Sequence, residues 1–166
     1  MGVWVKYTLV ALIPAYFFPF LYMRARAYAI ARTSGEQVNL RSYFREQPAE
    51  MAILACIFGI PSATILYFLG YPAGIMATLV GVTTAALLIA LINRVYRASF
   101  HLALFTVVLI SLAIIFGFSS LFVLPFILLL GMLRYYLGEH TPLQLATGFV
   151  IGLTATAAVF KGFGIF

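Results

Sequence analysis

Apolar residues run through this chain in long blocks and polar residues collect in a few short segments between them. From Met51 to Asn93 there is no charge over 43 residues. That is too long for one membrane span, and the Gly70-Tyr71-Pro72 break predicts two helices, at about 51–69 and 73–92. The next charge-free block, Ala98 to Leu133, divides at Gly117-Phe118-Ser119-Ser120 and predicts spans near 99–116 and 121–138. A first span is expected at 3–22, followed by Met23-Arg24-Ala25-Arg26 in place of the neutral small-residue site of a cleaved signal peptide. A last one is expected at about 142–160, with Thr141, Pro142 and Gln144 set as N-cap, N1 and N3 of a capping box. Six helices and no strands is the prediction, in one domain covering 1–166, because backbone in lipid must satisfy its own hydrogen bonds. Pro61 and Pro125 fall inside spans and predict kinks. The segment 24–47 reads as an interfacial loop with a short amphipathic helix.

Composition turns this pattern into a class. Of 166 residues 64% are apolar and 8% charged, whereas soluble domains have roughly a quarter of their residues charged. A soluble fold is thereby excluded and an integral, multi-pass membrane protein is expected. The net charge of +6 is then a matter of topology and lipid phosphate, not of nucleic acid. One cysteine, Cys56, permits neither an intrachain disulfide nor a cysteine-based metal cluster.

Alternation of loops places Arg24, Arg26, Arg32, Arg41, Arg45, Arg94, Arg97 and Arg134 on one face, and Lys6 and Lys161 on the other. By the positive-inside rule the arginine face is cytoplasmic and both termini are outside. All four acids and both histidines, His101 and His140, share that face. Each histidine stands at a helix start near an arginine. Ser99 can cap the fourth span just before His101, and Arg134 precedes His140. Free N–H groups, the helix dipole and a guanidinium fork together suit an oxyanion, and two such starts can converge on one. Gly148, Gly152 and Thr156 form a small-residue stripe suited to internal packing or to a homodimer through Gly148 and Gly152.

The stretch Arg134-Tyr135-Tyr136-Leu137-Gly138-Glu139-His140-Thr141-Pro142, with Gly148 and Gly152 beyond it, resembles the third motif of the type-2 phosphatidic acid phosphatases. Ala98-Ser99-Phe100-His101 is similar to their second motif, and Arg41 to Pro48 loosely echoes the first. The resemblance covers roughly residues 94–160. It departs at Leu133, Phe100 and Gln144, where the family has serine, glycine and aspartate. It implies a membrane enzyme that removes the phosphate or diphosphate of a lipid, of isoprenoid or phosphatidate type, through a phosphohistidine on His140. His101 would be the acid, Ser99, Arg97, Arg134, Arg94, Arg45 and Arg41 would hold phosphate, and Gln144 or Glu139 would orient the nucleophile, with no metal and no cofactor. The alternative is a catalytically silent protein that binds or carries lipid phosphates; a small transporter is a weaker third.

Overall fold

A computed structural model describes residues 17–34, 47–117, 122 and 124–165. Among them the chain is all helix, with no strand. The helices are α1 (Phe18–Ser34), α2 (Pro48–Phe68), α3 (Ala73–Ile92), α4 (Phe100–Phe116), α5 (Leu124–Tyr136) and α6 (Pro142–Gly162). Two of them, α3 and α6, are long and apolar enough to cross a membrane.

The predicted spans at 51–69, 73–92, 99–116 and 142–160 correspond to α2, α3, α4 and α6 within a few residues. Two elements differ. The expected first span lies mostly outside the described residues, and α1 (Phe18–Ser34) carries Arg24, Arg26 and Arg32, so that the segment expected to be an interfacial loop with a short helix is continuous helix as far as Ser34. Arg, Met and Ala are strong helix formers, and no Gly or Pro interrupts them between Phe20 and Ser34. The helix α5 has 13 residues, a rise of about 20 Å, and falls short of the 121–138 span. Pro125 sits in the first turn of α5, where its missing N–H costs no intrahelical bond, and not at a kink within it. Pro61 does lie inside α2.

Three helices end in the same local device. Gly70, Gly138 and Gly164 have φ between 66° and 70°, the left-handed conformation that glycine adopts without penalty. After α2, the N–H of Gly70 donates to Tyr67 O and that of Tyr71 to Leu66 O, both at 3.1 Å. This pair of bonds is a Schellman closure. It folds the Tyr71 ring back onto Leu66, and both join Leu79 in a buried cluster.

The centre of the bundle is α3, α4 and α6 packed on one another, with α2 against α3 and α5 against α4. Its interior combines small residues, including Ala77, Ala85, Ala86, Ala103 and Ala155, with larger ones such as Phe160, Leu66, Ile89 and Val107. A Cβ added to Gly148 would stand 2.5 Å from Ser99 O, and one added to Gly152 2.4 Å from Ala103 O. The small-residue stripe of α6 therefore packs against α4 of the same chain at Gly148 and Gly152, the internal-packing alternative of the two. Threonine hydroxyls buried in this packing return to their own helices: Thr83 to Leu79 O, Thr106 to Leu102 O and Thr156 to Gly152 O. Large apolar side chains point outward, among them Ile53, Ile57 and Ile60 on α2, Leu128 and Leu129 on α5, and Val150 on α6.

Gly152→Leu should lower stability by about 1–3 kcal/mol or more, since backbone carbonyl cannot give way as a side chain can. Thermal unfolding in detergent is the measurement. Gly131→Ala, where the nearest atom to a new Cβ is 3.9 Å away, should leave the melting temperature unchanged or raise it.

Candidate functional site

The site begins with the turn that closes α5. Gly138 (φ 67°) occupies the left-handed position, its N–H donates to Tyr135 O at 2.9 Å, and the N–H of Glu139 donates to Arg134 O at 3.1 Å. These bonds carry Glu139 back over the last turn of the helix. In an ordinary Schellman closure an apolar contact forms there; here it is an ion pair, Glu139 Oε2 on Arg134 Nη1. The two side chains are only 14% and 15% exposed, so the pair is shielded from water and each charge depends on the other.

Two residues later the chain enters α6 through the predicted capping box. Thr141 Oγ1 accepts from the Gln144 N–H at 3.4 Å, and Gln144 Oε1 accepts from the Thr141 N–H at 3.1 Å. The same amide oxygen lies 3.2 Å from His140 Nδ1. An amide oxygen only accepts, and the cap requires the oxygen at this position, so His140 Nδ1 must carry the proton. In the neutral ring the lone pair then belongs to Nε2. Gln144 is thus both the capping residue and the orienter of His140, two roles the sequence presents as alternatives. Glu139, the other candidate orienter, is engaged with Arg134.

The start of α4 is built separately and then joined to α6. After α3 ends at Ile92, Asn93 Oδ1 accepts the Ala98 N–H at 2.7 Å and closes the turn that leads to the next helix. Ser99 caps α4 as expected, its Oγ accepting from the Leu102 N–H. Its own N–H donates to Gln144 O at 3.1 Å. Through that bond two helix N-termini are held side by side, and Gly148 one turn further along α6 gives the backbone of Ser99 room to approach.

Two cavities open near these helix starts. One, of about 290 Å³, is lined by Tyr135, Gly138, Glu139, His140, Thr141 and Gln144 among others. The second is an apolar groove of about 1280 Å³ between α3 and α4. His101 lies at one end of its α4 wall, and Phe105, Val108, Leu112 and Phe116 follow along that wall. Each candidate residue can now be placed. His140, Gln144 and Glu139 share the small cavity, and His101 faces the groove. Arg134 is tied to Glu139 and lines neither cavity. Ser99 is fully buried as a cap. Arg94 and Arg97 are exposed on the turn before α4. Arg41 and Arg45 lie outside the described residues.

Sequence reasoning passes over Asn93 and Tyr135. The signal for Asn93 is its type and place, since an asparagine just after a long apolar run is suited to bonding nearby backbone. Tyr135 carries no comparable signal. Comparison of the chain with models of protein families, with curated proteins and with solved structures gives no match.

Gln144→Leu removes the acceptor for His140 and the side-chain half of the capping box, and leaves the bond from the residue-144 N–H to Thr141 Oγ1. It should cost about 1 kcal/mol of stability, and imidazole ¹⁵N shifts should report loss of the single Nδ1–H tautomer. Retention of that tautomer would show that another group orients the ring.

Proposed function

We propose that this chain is a multi-pass membrane phosphatase that removes the phosphate or diphosphate of a lipid. The observation that carries this reading is the join of the α4 and α6 starts through Ser99 N–H and Gln144 O at 3.1 Å. It sets the segment bearing His101 beside the one bearing His140. A large apolar groove beginning at His101 supports a lipid chain as the remainder of the substrate. Large apolar side chains exposed on α2, α5 and α6, together with the close contact of α4 with α6 at Gly148 and Gly152, support a multi-pass bundle in lipid, where helices associate through small residues. The arginine face is cytoplasmic and both termini are outside on this reading.

The reaction follows from the ring geometry. His140 Nε2 attacks phosphorus and forms an N–P bond as the bond from phosphorus to the lipid oxygen breaks. His101 gives the leaving alkoxide its proton. Water then cleaves the N–P bond and returns a proton to His101, and inorganic phosphate departs. Charge on the equatorial oxygens is met by Arg134 and Arg97 and by the free N–H groups of the helix starts.

Two observations favour a second reading, a catalytically silent protein that binds lipid phosphates. His101 and His140 line different cavities, and an amide stands where a carboxylate would stabilise the cationic ring. Phosphate release from a panel of lipid phosphates in detergent with EDTA separates the two. The enzyme releases phosphate in chelator; the binder retains the lipid without turnover.

His140→Ala should abolish release from every substrate. His101→Ala should lose far more rate on a lipid phosphate than on p-nitrophenyl phosphate, whose leaving group needs no proton. Equal losses on both substrates would remove His101 from the role of acid.

Orientation has its own test. In a Cys56→Ala background, Val95→Cys should be labelled by an impermeant thiol reagent only from the cytoplasmic side and Leu69→Cys only from outside. The reverse pattern would invert the topology. Both positions are exposed at turns.

A further inference from the structure

The small cavity beside His140 is lined by Glu139 and not by Arg134, although Arg134 is the cation that an entering phosphate needs. Its Nη1 is held by the Glu139 carboxylate. A carboxylate and a phosphate oxygen pair use the same fork of the guanidinium, so they compete for it. The competition is strong for two reasons. The pair is mostly shielded from water, and the Gly138 turn ties Glu139 to Arg134 through the backbone bond at 3.1 Å, which keeps the local concentration of the competitor high.

We propose, on the reading that this cavity receives a lipid phosphate, that Glu139 is a specificity residue: an internal monoanion that occupies Arg134 and yields it only to a dianion. A phosphate monoester or a diphosphate carries the extra charge needed to displace a single carboxylate. A phosphodiester carries one negative charge, no more than Glu139 itself. The bulk phospholipids of a membrane are phosphodiesters present in great excess, and an unguarded arginine at the interface would be occupied by them. Glu139 thereby rejects the surrounding lipids and admits the substrate without any contact to the rest of the headgroup. Displacement alone is required, and no bond is made or broken.

The test compares inorganic phosphate at alkaline pH with dimethyl phosphate, by calorimetric titration of the full chain in detergent. The wild-type protein should bind phosphate at least about tenfold more tightly than dimethyl phosphate. In Glu139→Gln both ligands should bind more tightly and dimethyl phosphate should gain most, so that the ratio collapses to about two- or threefold. Glu139→Asp keeps the charge on a shorter arm, should fold where the amide variant fails to, and should give an intermediate ratio. Arg134→Lys combined with Glu139→Gln should lose the gain. An unchanged ratio in both Glu139 variants, or weaker phosphate binding in them, would overturn the proposal and make Glu139 a support for Arg134. Should lipid phosphate be hydrolysed while the ratio stays unchanged, only the role of Glu139 falls. If no variant binds phosphate and no lipid phosphate is hydrolysed, the reading of the cavity falls with it.

Discussion

The backbone of Ser99 and that of Gln144 approach closely enough to share a hydrogen bond because α6 presents glycine to α4 on two successive turns, at Gly148 and Gly152. A side chain at Gly148 or Gly152 would strike a carbonyl of the α4 backbone at about half the normal clearance beyond a bond length, 2.5 and 2.4 Å. That contact sets the starts of α4 and α6 relative to one another. The cap of α4, the cap of α6, the ring of His140 and the ion pair preceding it all lie within a few residues of the join. Where two backbones are this near, alanine, glycine and threonine fill the space, while larger side chains such as Phe160, Leu66 and Ile89 fill other parts of the interior.

Gln144 makes four contacts from one residue, and they cannot be altered independently. Its N–H completes the cap, its amide oxygen serves both Thr141 N–H and His140, and its carbonyl receives Ser99 N–H. A carboxylate there would add charge stabilisation to the ring, yet the amide already determines which nitrogen is bare. Orientation and charge stabilisation are therefore separable at this position. For the proposed reaction, that separation is what distinguishes slow turnover from binding alone.

The ion pair of Arg134 with Glu139 and the orientation of His140 arise from the same turn. Gly138 in the left-handed region reverses the chain so that consecutive residues, Glu139 and His140, point to different partners: one back to α5, the other forward to the α6 cap. One short segment thus carries a cation, its internal counter-ion and the proposed nucleophile. The large groove along α3 and α4 belongs to a different part of the fold and meets this segment only through the α4 start.

The helices, their order and both caps were legible in the sequence because each is set locally. Charge-free blocks of known length, Gly70-Tyr71-Pro72 as a break, Ser99 before an apolar run and Thr141-Pro142-Leu143-Gln144 as a box need no distant partner to act. Local chemistry also misled at Pro125, which stands in the first turn of a helix instead of bending one. Only the tertiary structure decided the pairings. That Ser99 would donate to Gln144, that His101 would face a groove and His140 a separate cavity, and that the glycines of α6 would be covered by α4 are all outcomes of where helices apart in the chain come to rest, whereas Glu139 takes Arg134 through the local Gly138 turn. Spacing along one chain states what each residue can bond, and packing selects which of the available partners it meets.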